Sequence, residues 1–405
     1  MKILNLFKQF SRDIKLIIIT TLIISCVGVY AAGECIISAT ADDVTYGNTT
    51  VQAAIDELYS MTGSYCPPDY DCTKMAIIKA TPSNDITAFR SDTYREKIKT
   101  ITLDDQINPP ANVIESWDIG EHQNGDVMAY ITQNIDDNTM YDLYIQGDGS
   151  LYANEDSSYF LYNLKGIDSI NGIRKLNTSR VENMSHMFHN TGYSSQSLTL
   201  DLRDNFDTSN VADMTYMFYQ TGYNSQSVVI DLGNSFDTSN VADMPYMFAL
   251  TGFNSPSLTI DLGDNFDTGN VGDMGRMFYR TGFDSTNFSL SLGNKFDTSN
   301  VTDMNRMFQD VGYSSPSFTL NLGNSFYTNN VANMDLMFSR TGYANTTFEL
   351  DLSTFNFSNV TSYTNIFSQF KTTQKIYVGN ATAQNWIITN SGNSNLTTSN
   401  VLIKT

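Results

Sequence analysis

Val181, Val211, Val241, Val271, Val301 and Val331 each follow an Asp-Thr-Ser-Asn-like tetrad or its close variant, and they are thirty residues apart without a single insertion. Self-similarity at a fixed period of this size limits a chain to architectures built by stacking one supersecondary unit. Six full units occupy roughly residues 171 to 350. A seventh, Phe357-Ser-Asn-Val360-Thr-Ser-Tyr-Thr-Asn-Ile-Phe367, has one residue fewer before its valine and carries Tyr363 and Ile366 where the others carry methionine, as a terminal repeat facing a cap should.

Two periods separate within one unit. Leu198, Leu200 and Leu202 alternate with Thr199 and Asp201, the pattern of a strand with one buried face. Further on, Val211, Met214, Met217 and Phe218 fall at intervals of three and four, which predicts a short helix or 3-10 turn. On that reading Ser209 or Asn210 caps the helix, Asp213 sits at the positive end of its dipole, and Gly222 ends it. One apolar strand face and one apolar stripe cannot be buried within thirty residues, so only stacking on neighbours completes the core. The expected fold is a repeat solenoid, leucine-rich-repeat-like, over residues 165–370. Each repeat gives one strand and one short helix or 3-10 turn, and the strands stack in parallel.

Outside the array the chain divides into four further segments. Residues 1–31 read as a signal peptide or N-terminal membrane anchor: Lys2, Lys8, Arg12 and Lys15 precede a nearly unbroken apolar run from Leu16 to Tyr30. Cleavage near Ala31, retention as an anchor and lipidation at Cys26 remain three open outcomes, the run being short for a comfortable membrane span. Residues 32–74 form a stalk or short helical segment. Within it Cys66 and Cys72 are a candidate disulfide, with zinc the weaker reading because no second ligand pair follows, and Cys35 lacks an evident partner. Residues 75–164 alternate short apolar runs with Asp/Asn/Gly turns and are expected to form a small strand-rich domain capping the first repeat. Residues 371–405 are expected to close the other end, where an open strand edge would invite aggregation.

Charge and chemistry narrow the function. Of 405 residues only 16% are charged, and 43 Asp+Glu against 23 Lys+Arg leave a net charge of -20, which opposes binding to nucleic acid. Three histidines and four cysteines leave few ways to assemble a catalytic or metal centre. His186 and His189 lie three apart, but their equivalents in other repeats are not ligands, so a structural role is expected. The ladders of Asp207 and Asp213 with their equivalents lack the glycine-rich nonapeptide of calcium-binding β-rolls, so capping is expected rather than calcium. Twelve of the seventeen methionines lie in the two methionine ladders, where flexible side chains filling a stacked core are a simpler account than copper ligation. No cofactor, metal or catalytic residue is expected. The candidate interaction face comprises Asp201, Asp231 and Asp261 on the strand stripe, with Tyr216, Tyr246, Arg276 and Arg306 at the exposed, varying positions of the second segment.

Phe236-Asp-Thr-Ser-Asn-Val-Ala-Asp-Met-Pro-Tyr-Met-Phe248 resembles the repeat of BspA-like leucine-rich-repeat bacterial surface proteins, and the likeness covers about half the chain. The thirty-residue period departs from the family's usual, shorter spacing by the Thr-Gly-Tyr/Phe-x-Ser turn. Ser116-Trp117-Asp118-Ile119, with Tyr141 to Ile145 and Leu161 to Ile167, is similar to the module that precedes such arrays. Ala41 to Tyr46 with Val51 to Tyr59 resembles a stalk segment of Firmicutes and Mollicutes surface proteins. The resemblance implies an extracellular, cell-surface or secreted bacterial protein that binds a host or neighbouring-cell protein or glycan, meets membrane only through its N-terminal segment, and brings no catalytic residues. A structural spacer or stalk component with no specific ligand is the alternative.

Overall fold

The computed structural model describes residues 75–203 and 206–404, together with two short strands near the N-terminus. The chain separates into two units, Met1–Cys72 and Thr73–Thr405. In the first, β1 (Thr45–Tyr46) and β2 (Thr49–Thr50) pair antiparallel. The apolar leader, Cys26, Cys35 and the Cys66/Cys72 pair lie outside the described residues. Among the described residues no helix is long and apolar enough to cross a membrane.

The second unit is strand-rich, with parallel stacking. It opens with β3 (Ala76–Ile77), β4 (Ile98–Asp104), β5 (Glu115–Asp118), β6 (Val127–Gln133), β7 (Tyr141–Gly147) and β8 (Leu151–Tyr152). β9 (Ser169–Asn171) and β10 (Leu176–Asn177) follow, and then the repeat strands β11 (Ser197–Asp201), β12 (Ser227–Asp231) and β13 (Ser257–Asp261). One eight-stranded sheet runs in the order β13-β12-β11-β9-β4-β7-β6-β5. The repeat strands therefore continue directly from the strands before them: Thr199 lies opposite Ser169, and Ser169 opposite Thr100. A smaller sheet, β10-β8-β3, lies in the same unit.

Through the six full repeats the register is thirty residues: Leu198 opposes Val228 and Val228 opposes Leu258, so each inward residue lands on its own equivalent. β14 (Ser289–Ser291) and β15 (Thr319–Asn321) pair the same way but are three residues long, against five for β11 to β13. The shortening coincides with a larger first inward residue. Leu198, Val228 and Leu258 give way to Phe288, Phe318 and Phe348, whose rings tilt by 32° and 34° to fit the stacking distance. β16 (Glu349–Leu352), β17 (Lys375–Val378) and β18 (Val401–Ile403) form the last sheet, with α1 (Ala381–Asn390) between β17 and β18. The Asn380 side chain accepts from the Ala383 N–H at the start of α1, and Trp386 stacks on Phe357 at 4.3 Å.

The segment read as a short helix or 3-10 turn keeps three-residue turn bonds but forms no continuous helix. From Thr215 to Asn224 the backbone is a run of turns, and Tyr216, Gln220 and Gly222 take φ of 58°, 55° and 61°, values no α-helix contains. The donors alternate. Met217, Tyr219, Thr221 and Tyr223 donate N–H groups to the carbonyl three residues back, while those of Phe218 and Gln220 go to Met247 and Ala249 of the next repeat and that of Gly222 to Thr191 of the previous one. Neighbouring repeats are close enough to compete for half of the backbone groups, so the hydrogen bonds that would close helical turns run between repeats instead. Asp213 accordingly caps no helix; its Oδ1 accepts the Thr215 N–H two residues on. Pro245 occupies the equivalent of Thr215, where the missing N–H costs only that side-chain bond.

The core is a set of one-residue-per-repeat ladders. Met214, Met217, Phe218 and their equivalents are fully buried. Phe188 to Phe367 stack ring on ring at 5.1–5.7 Å, and a second file runs from Phe206 to Phe355. Buried hydroxyls complete the stack: Thr208 donates to the Asp237 carbonyl and Thr221 to that of Phe188, and this pattern recurs through the array.

Candidate interaction faces

The sequence singles out two groups of surface residues, and the structure places them on two different ladders. Asp201, Asp231 and Asp261 stand in direct register on the outer side of the strand ladder. Each carboxylate uses one oxygen on the N–H two residues ahead, Arg203, Gly233 and Gly263 respectively. Arg203 adds side-chain bonds to Asp201 at 2.9 and 2.7 Å and approaches Asp231 at 3.2 Å. Its hydrogen bond holds the Asp201 carboxyl below the usual range, whereas burial outweighs the same arginine at Asp231 and pushes that carboxyl up. This stripe is thus partly neutralised and partly committed to its own turns.

Tyr216, Tyr246, Arg276 and Arg306 form a second file, on the turn ladder. Tyr159, His186, Tyr216 and Tyr246 stack at 4.5–4.8 Å, and the Arg276 guanidinium lies over the Tyr246 ring at 5.2 Å. Arg306 continues the file and reaches the Gln309 Oε1 at 3.3 Å. All are half-buried and all hold a left-handed backbone, with φ of 58°, 59°, 59° and 55°. Non-glycine residues rarely adopt that conformation, which costs roughly 1–2 kcal/mol each. No ion pair or hydrogen bond joins these four to Asp201, Asp231 or Asp261, so the candidate face is two faces.

His186 and His189 belong to the second file and its neighbour. Their Nδ1 atoms are 2.8 Å apart, and the rings sit among Tyr159, Tyr162, Tyr216 and Tyr219. Burial depresses both, that of His189 to about 3 with help from His186. Both rings are therefore neutral near pH 7, one donating to the other. Among the described residues no group of three or more His, Cys, Asp or Glu side chains comes together to hold a metal.

Two further files escaped sequence reasoning. Tyr193, Tyr223, Phe253, Phe283, Tyr313 and Tyr343, the third residue of each Thr-Gly-Tyr/Phe turn (Val-Gly-Tyr at Tyr313), stack at 4.6–4.9 Å and stay half-exposed. Lys371 sits over the last ring at 4.1 Å. Their constant aromatic character at thirty-residue spacing was the available signal, hidden because the motif reads as a turn. Beside them, Arg280, Asp310 and Arg340 occupy one position in three successive repeats. The fully buried Asp310 takes Arg280 at 3.1 Å and Arg340 at 2.6 and 2.8 Å. In the same repeat Val311 replaces the threonine that elsewhere bonds the preceding repeat.

No curated protein and no solved structure matches the chain. The family model DUF285, described as a Mycoplasma protein of unknown function, matches residues 157–279 and again residues 253–381. These spans hold the turn ladder, both candidate faces and the aromatic files, and together they exceed half of the chain. The chain therefore belongs to the DUF285 family.

Proposed function

We propose that this protein is a non-catalytic, extracellular surface protein whose stacked repeats form a solenoid of the BspA-like, leucine-rich-repeat-like kind, and that it acts in adhesion by binding a protein or glycan on a host or neighbouring cell. The single observation that carries this reading is the contrast between two sets of ladders. Buried positions repeat with little change, while the half-exposed file on the turn ladder runs His186, Tyr216, Tyr246, Arg276, Arg306, Leu336, each in a backbone conformation that disfavours it. Keeping large, varied side chains where glycine would be less strained fits a surface shaped for recognition. A spacer with no ligand is the alternative, and it has less reason to diversify one file.

The test is a series of chains that retain both ends and lose residues 201–230, 231–260 or both. Binding to immobilised host-cell membranes and matrix should weaken with each unit removed, because equivalent sites act together. Folded, shortened chains that adhere as well as the parent, or a parent that adheres to nothing, would favour the spacer.

A further inference from the structure

Between residues 206 and 370, a stretch rich in Asp, the basic residues are Arg276, Arg280, Lys295, Arg306 and Arg340. Four of these five lie on the turn ladder; Lys295 alone does not, its Nζ bonding Asn265. They lie on adjoining turns: the Gln309 carbonyl accepts the Arg280 N–H, and the Asn305 carbonyl, next to Arg306, accepts the Arg276 N–H. Arg306 meets Gln309, Arg280 packs over Tyr279 at 5.1 Å and Phe283 at 5.9 Å, and Arg340 lies over Tyr313 at 5.7 Å. Arg280 and Arg340 share a single carboxylate, that of Asp310, which leaves the trio net positive. Among the described residues Arg276 and Arg306 have no carboxylate at ion-pair distance. Asp273 and Asp303 border the patch, each with one oxygen tied to a backbone N–H, of Gly275 and Asn305. At physiological salt the screening length is about 8 Å, so the remote carboxylates behind the net charge of -20 act weakly here, and the four guanidinium groups are offset locally by Asp310, Asp273 and Asp303.

The aromatic file beside the arginines decides what kind of anion fits. Each interior ring has both faces covered by its neighbours at 4.6–4.9 Å, so a ligand meets ring edges, with a phenol hydroxyl at Tyr223 and Tyr313 but none at Phe253 and Phe283, and not stacking platforms. Guanidinium forks match sulfate or carboxylate groups, and phenol O–H groups match hydroxyls. We infer that the Arg276–Arg306 patch, with Arg280, Arg340 and the flanking Tyr279 and Tyr313, binds an anionic, hydroxyl-rich glycan chain laid along the turn ladder.

The inference rests on the recognition reading above and is tested apart from it with the full chain, using a fluorescent sulfated heparin-type octasaccharide, its desulfated form and an oligoglutamate peptide as probes at about 0.15 M salt. The parent should bind the sulfated probe best. Arg276→Gln and Arg306→Gln should each weaken it roughly tenfold, the loss expected for one charge-assisted contact. Lys295→Gln should leave it unchanged. Arg280 and Arg340 are spared because removing either strands part of the buried charge of Asp310. Thermal melts of each variant, expected to match the parent's, separate lost binding from lost folding. No binding of the sulfated octasaccharide by the parent, an equal loss with Lys295→Gln, or binding unaffected in Arg276→Gln/Arg306→Gln would overturn the inference; so would oligoglutamate binding as well as the sugar, which would point to an acidic protein partner. Deletions within 201–260 spare the patch, so adhesion that falls with those deletions while the arginine variants keep the octasaccharide would sink this inference and leave the broader reading standing.

Discussion

Left-handed backbone at Tyr216, Tyr246, Arg276, Arg306 and Leu336 is one of two such non-glycine positions in each repeat, and its cost can be removed one residue at a time. Leu336 is half-buried and stands where the file has run out of aromatic and cationic residues. Leu336→Asn, a residue that visits this conformation readily, should stabilise the protein by on the order of 1 kcal/mol. A fall in the urea midpoint would show that the leucine packs more than its backbone suffers. Gly222 is the opposite case: its φ is 61° and an added Cβ would sit 2.3 Å from the Val228 Cγ2. Gly222→Ala should therefore cost about 1–3 kcal/mol.

The histidine pair gives a pH signature at the same scale. Both rings are depressed in the folded protein, His189 to about 3, so below the unfolded value of about 6.5 the unfolded chain binds more protons than the folded one. Stability from this pair is complete above about pH 6.5 and is lost as pH falls toward 3. Asp213 opposes the effect slightly by attracting a proton to His186. Replacing His186 and His189 by tyrosine, the residue at both equivalent positions of the next repeat, keeps the stack and removes the titration. Urea midpoints at pH 7 and pH 5 should differ more for the parent than for the double variant; equal differences would mean the pair is solvated.

At the scale of the element, strand and turn differ in how far the sequence reveals them. Alternation at Leu198, Leu200 and Leu202 leaves one solution, because a period of two with a polar partner face belongs to strands alone. Val211, Met214, Met217 and Phe218 do not, since a run of turns whose N–H groups alternate between its own chain and the next repeat buries residues at the same spacing as a helix. The difference is non-local: it depends on a neighbour thirty residues away offering carbonyl groups at bonding distance. The strand Asp stripe was legible as a ladder, but its loss of free charge to Arg203 required the side-chain geometry. Burial of the stripe residues follows either description, so Met244→Ala and Phe248→Ala should each cost about 2–5 kcal/mol. Tyr246→Ala, losing one half-buried stack between Tyr216 and Arg276, should cost roughly 0.5–1.5 kcal/mol. Comparable denaturation shifts for all three would place Tyr246 in the core.

Across the whole second unit, register is the property everything else depends on. The strand ladder, the turn ladder, the phenylalanine files, the arginine patch and the aromatic file all require that residue i meet residue i+30, from Leu198 on Val228 to Phe308 on Phe338. Because strand side chains alternate faces, an error of one residue within a strand turns the buried set outward. The most direct measurement is a pair of deletions made in β12. Removing residues 231–260 joins Ile230 to Asp261, the equivalent of Asp231, and restores a whole repeat; removing 231–259 joins Ile230 to Ile260 and places two inward residues in succession. The thirty-residue deletion should unfold cooperatively within a few degrees of the parent, since each repeat contacts only its neighbours. The twenty-nine-residue deletion should lose that transition or melt far lower. Matching transitions for the two chains, or collapse of both, would contradict a stack held in thirty-residue register.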